Sequence, residues 1–260
     1  MTTIVKEPQT KNIYFARHGE RIDFVDKKWI ELAERPGDPP LSSYGLEQAH
    51  ELGVYAASIQ PRVTHIYASP FIRTIQTAIE IVKELNQNES LVKIHLEPGF
   101  GELCVDHSSW NERTLYRSIT ELSDISKDLS LIDQDYDSFL KIDYFLQNPH
   151  ENRQEFRDRL QRTLQHILNL HSTDCNILIV THAATVIEGV RALLTISERD
   201  NEQIVVSSQW NMSPIRAGVC SLTHVELVDS KWTVKTNGLA SYLSKGEQNA
   251  WLFPDDKHLY

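Results

Sequence analysis

Short apolar runs that stop abruptly at polar or small residues alternate along this chain with stretches whose apolar residues recur at helical spacing. Residues 13–16 form the first run and read as a buried strand. Beyond a loop containing Pro36, Pro39, Pro40 and Gly45, residues 46–57 carry a helical pattern. Residues 64–68 predict a second strand, stopped by Ser69-Pro70. Residues 71–85 then predict a helix with Ile72, Ile75, Ala78, Ile79 and Val82 on one face. Residues 92–96 predict a third strand before Pro98-Gly99. Farther on, residues 153–170 read as a charged amphipathic helix, 176–180 (NILIV) as a buried strand and 183–194 as another helix. Residues 219–227 and 231–235 alternate apolar and polar positions around Asp229-Ser230, as a hairpin at a sheet edge does.

Strand alternating with helix predicts an α/β fold. The expected form is a three-layer α/β/α arrangement with a mostly parallel central sheet, an antiparallel edge strand pair and helices on both faces. Residues 103–150 fit neither periodicity. They are rich in Ser, Asp, Leu and Tyr and too long for a structureless loop, so they predict an inserted cap region containing short helices. At 260 residues the chain is expected to form a single domain, 1–260, with that insertion at about 103–150.

Composition narrows the classes. Hydrophobic residues make up 40% and charged residues 24%, enough for a buried core and against global disorder. The 26 Lys+Arg against 36 Asp+Glu leave a formal net charge of -10, which excludes a nucleic-acid surface as the main function. Any cationic site must be local. Cys104, Cys175 and Cys220 are odd in number and lack CxxC spacing, so they read as reduced thiols of an intracellular protein. The start, MTTIVKEPQTK, has no apolar signal core, and no run approaches the ~18 apolar residues of a membrane span. A cytoplasmic or nuclear protein without membrane contact is the expectation. Asn88-Glu89-Ser90 and Asn211-Met212-Ser213 match the glycosylation pattern and are read as chance matches.

In open α/β sheets, ligands bind beyond the carboxyl ends of the strands. Arg17, His18 and Arg21 follow the first predicted strand, Ser69 and Arg73 the second, Glu102 the third, and His182 the NILIV strand. Two histidines, three arginines and a carboxylate therefore share one rim, and the chemistry they suggest is phosphoryl transfer. Arginine forks bind phosphate oxygens bidentately and keep their charge. A neutral histidine, with an unperturbed pKa near ~6.5, is a competent nucleophile at neutral pH. A second histidine can stabilise charge on the equatorial oxygens, and a carboxyl group can protonate the leaving oxygen and later deprotonate the attacking water.

Arg17-His18-Gly19 after a strand, Pro40-Leu41-Ser42 with Gly45 and Gln48-Ala49, Ser69-Pro70-Phe71-Ile72-Arg73-Thr74-Ile75-Gln76-Thr77-Ala78, and Thr181-His182-Ala183 occur in that order. The set resembles the histidine phosphatase (phosphoglycerate mutase-like) superfamily. RHGERID, YASPFIRTIQTA, LEPGFGEL and NILIVTHAA are similar to the phosphatase domain of the suppressor-of-T-cell-receptor-signalling (TULA) proteins and of insect ecdysteroid-phosphate phosphatase. The tail, IRAGVCSL and WTVKTNGLASYLSKGEQNAW, resembles the histidine-phosphatase subunit of fungal transcription factor IIIC. The resemblance implies a phosphohistidine on His18 and a phosphate pocket of Arg17, Arg21, Arg73 and His182, with Ser69 beside them. It also implies Glu102 as proton donor and a homodimer, and the lack of HxH or HExxH spacing predicts no metal, with no other cofactor expected. Arg21-Ile22 depart from the phosphoglycerate mutase pattern and disfavour a mutase. Leu103 stands where the family carries tryptophan after the catalytic glutamate.

Each residue has a plainer reading when taken alone. Arg73 suits a helix surface, His182 a helix cap, and Glu102 a solvated loop. Glu20 and Asp23 read as partners for the arginines or as solvent-facing groups, and the charged run at 153–162 as a solvated helix face from which one arginine could reach the substrate mouth. Joint placement on one rim favours the catalytic reading for Arg17, His18, Arg73 and His182. The remaining histidines, among them His50, His65, His95, His107, His150 and His171, are scattered without HxH or HExxH spacing. The expected function is a phosphomonoesterase acting on a phosphoprotein, with phosphotyrosine foremost, or on a small phosphate ester. The alternative is a scaffold subunit that keeps the fold as an interaction surface. Substrate selectivity is assigned to residues 24–40 and 103–150.

Overall fold

The computed structural model describes residues 11–88, 91–103, 128–147, 150–171, 174–196, 214–228 and 231–259. Among them six strands form one sheet: β1 (Lys11–Arg17), β2 (His65–Ala68), β3 (Ile94–Leu96), β4 (Cys175–Thr181), β5 (Leu222–Val228) and β6 (Lys231–Leu239). Their order is β3-β2-β4-β1-β5-β6. The first four run parallel, while β5 and β6 add an antiparallel pair at one edge. The helices of the described residues are α1 (Ile22–Val25), α2 (Trp29–Leu32), α3 (Ser43–Ser58), α4 (Ile72–Leu85), α5 (Ile142–Gln147), α6 (Arg153–Leu170) and α7 (Ala183–Thr195).

The central strands are continuous apolar runs because both of their faces are covered. In β1, Tyr14 and Ala16 join a core with Leu52 of α3 and Ile75 and Val82 of α4, whereas Ile13 and Phe15 join a second core with Leu160 of α6 and Val186 of α7. Strand β4 divides likewise: Leu178 and Val180 serve the first core, Ile177 and Ile179 the second. The alternation is the period of two that any strand imposes on its side chains.

The helices start where their first residues can satisfy free N–H groups. Ser42 caps α3 by accepting from the Gly45 N–H at 2.9 Å, and Asn152 and Glu155 form a capping box on α6. On α4 the predicted face of Ile72, Ile75, Ala78, Ile79 and Val82 is buried, and Arg73, Thr74 and Thr77 are buried beside it. That width reflects packing on both α3 and the sheet.

From β1 the chain passes through α3 to β2 and through α4 to β3, then returns through α6 to β4, which lies between β2 and β1. The neighbours β1 and β4 thus send their following helices, α3 and α7, to opposite faces. The crevice at their carboxyl ends is the ligand position of an open α/β sheet.

Several boundaries differ from expectation. Strand β3 begins at Ile94 rather than at residue 92, and β6 runs on to Leu239. Strand β5 begins at Leu222, because residues 219–221 turn instead. There Cys220, at φ 50, aims its N–H at the carbonyls of Arg17 and His18 (3.2 and 3.3 Å). Residues 24–40, unreadable in sequence, contain the end of α1 and all of α2. Of the insertion at 103–150, residues 104–127 lie outside the described residues, as does Cys104. Its described part holds a single 3-10 turn (Leu129–Leu131) and α5. The turn at 229–230 and the second glycosylation-like tripeptide also lie outside them. No helix among the described residues is long and apolar enough to cross a membrane.

Candidate active site

The loop after β1 is held in place by two glycines that cross in contact. A Cβ on Gly19 would lie 2.4 Å from the Gly45 carbonyl oxygen, and a Cβ on Gly45 would lie 2.1 Å from that of Glu20. No larger residue fits either position without moving backbone. The loop is further tied by Glu20 N–H to Gln48 Oε1 (2.9 Å), Ser42 Oγ to Glu20 Oε1 (2.8 Å) and Gly19 N–H to Thr77 Oγ1 (3.2 Å). The spaced motif Ser42, Gly45 and Gln48 is thus the seat of the histidine loop. Glu20, expected beside an arginine or in solvent, is committed to Ser42.

His18 is 1% exposed at the end of β1, and its backbone N–H donates to Thr181 O of β4 at 2.9 Å. Its Nδ1 lies 2.8 Å from its neighbour's carbonyl, Gly19 O. A carbonyl only accepts, so Nδ1 carries the proton and Nε2 keeps its lone pair. Burial, then the charges of Arg73 and Arg17, hold the ring well below the ordinary histidine range. The imidazole is neutral at neutral pH.

His182, the backbone N-cap of α7, makes no capping bond with its side chain. Instead Nδ1 accepts from Arg73 Nη2 at 3.1 Å, which leaves the proton on Nε2 to donate to Ser69 Oγ at 2.8 Å. Burial and the same arginines keep this ring neutral as well. Its 3.6 Å approach to Glu102 Oε2 is therefore not an ion pair. The rings of His18 and His182 meet edge-on, with centroids 5.5 Å apart.

Arg17 is 5% exposed, with Nη1 donating to Ala217 O (2.8 Å) and Asn249 O (2.6 Å). Arg73 is 2% exposed and lies over the Phe71 ring. Burial pulls both guanidinium pKa values down to about 10, so both stay cationic. Yet Arg17 Nε and Arg73 Nε and Nη1 have no hydrogen-bond partner among the described residues. Such buried donors are costly to leave unpaired. The nearest carboxylate to Arg73 Nη1 is Asp38 Oδ1 at 3.6 Å, beyond a direct bond. Arg21, more open, binds Asp23 bidentately at 2.9 and 2.5 Å. Burial pushes Asp23 up, but those bonds outweigh it and leave its pKa below the ordinary value.

Glu102 keeps 24% of its side chain exposed, and Leu103 N–H donates to its Oε1 at 3.1 Å. Burial raises its pKa; Arg73, that backbone bond and Arg17 oppose the rise without cancelling it. Its loop is fixed from below by Thr181 Oγ1 to Phe100 O (2.6 Å) and Thr185 Oγ1 to Gly101 O (3.0 Å).

Arg159 is the arginine of the 153–162 run that leaves the solvated face. It is fully buried, donates to Gly99 O (2.7 Å) and reaches Gly101 O and Glu102 O (3.4 Å each), while Glu151 binds it bidentately at 2.8 and 2.9 Å. Three further groups escaped sequence reasoning. Asp38 accepts the Ile72 N–H at the start of α4 (2.9 Å); Thr77 joins α4 to the histidine loop; fully buried Glu97 accepts from Gly99 and Leu140 N–H and from Tyr136 OH. Only the Glu97-Pro98-Gly99 turn carried a local signal, an acceptor two residues before a glycine N–H. His95 and His171 meet the Tyr67 ring and His65 meets His171, and no group among the described residues is arranged to hold a metal ion.

The sequence from 13 to 239 matches the model of the Histidine phosphatase superfamily (branch 1). The chain belongs to that superfamily. This superfamily member is 28% identical over 218 residues to human ubiquitin-associated and SH3 domain-containing protein A, covering 73% of this chain and 32% of the relative. It is 27% identical over 274 residues to the transcription factor tau 55 kDa subunit of Saccharomyces cerevisiae, covering 93% of this chain and 58% of the relative. The chain thus spans about a third and somewhat over half of those two proteins' lengths. Its fold is similar to the solved structure of the Bombyx mori ecdysone phosphate phosphatase in complex with tungstate (TM-score 0.64, 23% identity, covering 88% of this chain and 93% of that one). Both the superfamily and the mostly parallel α/β fold agree with the reading of the motifs.

Proposed function

We propose that this superfamily member is a phosphomonoesterase that works through a phosphohistidine on His18. The observation that supports this most is the pairing of a neutral, buried imidazole with guanidinium N–H groups that lack partners among the described residues. A tetrahedral phosphoryl group bound between Arg17 and Arg73 satisfies those donors, and its dianionic charge matches theirs. Arg21, held by Asp23, lends its charge at the rim, and Ser69 orients His182.

In the first step the His18 Nε2 lone pair attacks phosphorus as the P–O ester bond breaks. Negative charge spreads onto the equatorial oxygens, where Arg17 and Arg73 receive it, and His182 supports them by holding Arg73 Nη2 through its Nδ1. The leaving oxygen takes the proton of Glu102, whose raised pKa suits a donor. In the second step water attacks the phosphohistidine, Glu102 takes one of its protons, the P–N bond breaks and His18 returns to its neutral form. Orthophosphate and an alcohol or phenol are the products. Substrate identity rests with residues 24–40 and the insertion, and the protein-tyrosine and small-ester readings both remain within this chemistry. No step calls on a metal ion.

An aryl phosphate assay on native protein and His18→Ala tests the reading. Turnover is expected in the first only, and rapid quenching in alkaline denaturant is expected to trap an acid-labile, base-stable phosphoryl group on His18. Equal rates, or a phosphoryl group on serine, overturn it. A non-catalytic scaffold is the second reading, supported by similarity to a yeast transcription factor subunit over 93% of this chain. Absence of turnover in native protein favours it.

A further inference from the structure

A second concentration of arginines lies outside the His18 crevice. Arg153, Gln154 and Arg157 from the first turns of α6, Arg191 from α7 and Asp256 from the 3-10 turn Pro254–Leu259 line a cavity of about 380 Å³. None of these residues belongs to the crevice around His18. We propose that this cavity is an oxyanion site that takes a phosphoryl group, either of orthophosphate or of a phosphorylated ligand.

The ion pairs around the cavity include one buried carboxylate fewer than they have guanidinium groups. Glu188, fully buried below it, accepts from Arg153 Nε (2.9 Å), Arg157 Nε (2.6 Å) and Arg191 Nη1 (2.8 Å). Asp256 accepts from Arg153 Nη2 and Arg191 Nη1, both at 2.9 Å. Burial raises both carboxyl groups, but their arginine partners outweigh it, so both are anions. Three guanidinium groups therefore face two carboxylates. Asp255 stands 3.9 Å from Arg153 Nη1, yet its side chain is 88% exposed and its charge is screened by water.

Two of the guanidinium groups keep donors uncommitted among the described residues. Arg191 is 5% exposed, and its Nε has no hydrogen-bond partner among the described residues. Among the described residues Arg157 commits only Nε, to Glu188, which leaves the far edge of its fork for another acceptor. Arg153 and Gln154 also open an 18-residue helix, whose N-terminal end adds partial positive charge. A planar fork, a buried lone donor and a net positive charge suit an acceptor with several oxygens. A neutral ligand would leave the charge uncompensated. A network built only to hold the C-terminal turn against α6 and α7 needs neither the cavity nor the extra guanidinium.

The proposal does not depend on turnover at His18. Its test is a titration of the full chain, labelled with 15N at arginine side chains, with orthophosphate and separately with phenylphosphonate, which no phosphatase hydrolyses. Arg17 and Arg73 report the His18 crevice, while Arg191 and Arg157 report the second cavity. The expected result is a shift of the Arg191 Nε–H resonance with its own saturation curve. Arg157→Ala, at a side chain 30% exposed, is expected to weaken that curve about tenfold and leave those of Arg17 and Arg73 unchanged. A response to orthophosphate alone assigns the site to the free ion; a response to both extends it to a tethered phosphoryl group. An Arg191 resonance that stays still at saturation of the crevice, or a second curve unmoved in Arg157→Ala, overturns the proposal.

Discussion

Two groups of buried arginines in this protein face opposite conditions. Arg159 sits in a complete set of acceptors, with Glu151 bidentate on one side and loop carbonyls on the other. Arg17 and Arg73 are buried as deeply, but donors on both lack partners among the described residues, and Asp38 stands off at 3.6 Å. Desolvation costs the same kind of penalty in each place. It is offset inside the protein for Arg159, whereas around His18 the proposed phosphoryl group would supply the offset. The first arrangement is what a structural arginine needs, and the second is what the proposed phosphate pocket requires. The cluster around Glu188 lies between them, nearly neutralised with one guanidinium in excess. Burial pulls Arg153 down, yet Glu188 and Asp256 raise its pKa above the ordinary value overall, opposite to Arg17 and Arg73.

The sharpest way to break this comparison is to remove a member of the ligand-awaiting set. His18→Ala is expected to lower kcat/KM by about a thousandfold or more, and Arg73→Ala by about a hundredfold to a thousandfold. Both are read with an aryl phosphate, together with a melting curve. Because Arg73 has few internal bonds to lose, its variant is expected to melt close to native. A large drop in Tm with activity kept would reverse the assignment of the two groups.

Next in size is a cut in the internally compensated set. Glu188→Ala strips a buried partner from three arginines and is expected to cost about 3–5 kcal/mol of stability in denaturant unfolding. A change below about 1 kcal/mol would mean that water already compensates those charges. Arg159→Lys keeps the charge but loses the fork that holds the Glu102 loop. We expect kcat to fall about tenfold with KM nearly constant, a split that simple destabilisation does not produce. Equal losses of activity and folded fraction would reduce Arg159 to a stabilising role.

The smallest effect is the pH profile. His18 has a folded pKa below the usual histidine value, so the lone pair survives into mildly acidic solution and the acid limb is displaced downward. Glu102 has a raised pKa, so its proton is lost, and the alkaline limb begins, above the usual carboxylate range. An optimum on the acidic side of neutrality follows, and Glu102→Gln is expected to lose the alkaline limb. A native profile flat across about pH 5 to 8 would remove Glu102 from proton transfer. Stability has its own sign. The buried neutral histidines, including His65 at about 4, bind protons more weakly in the folded than in the unfolded chain. Stability is therefore full above the unfolded value of about 6.5 and declines as pH falls below it.

The run from 13 to 18 was legible because a continuous apolar strand ending in Arg-His-Gly is local information, and so was the placement of Arg73 and His182 one strand end away. Asp38, Glu97, Thr77 and Arg159 were not legible. Each has a partner 34 to 60 residues away in sequence, and apart from the Gly99 N–H that Glu97 accepts two residues on, no local pattern distinguishes these paired groups from solvated ones. The charged helix at 153–170 shows the limit most clearly. Its alternating signs read as a wet surface, yet Arg159 is wholly buried because Glu151 and three loop carbonyls surround it.

By itself the sequence determined the parallel strands, the helices between them and the residue types at their carboxyl ends, since periodicity and turn chemistry act over a few residues. Only the tertiary structure decided which arginines are matched by carboxylates and which face an open crevice. Desolvation and pairing depend on what surrounds a charge in space, and that is set when distant segments pack together.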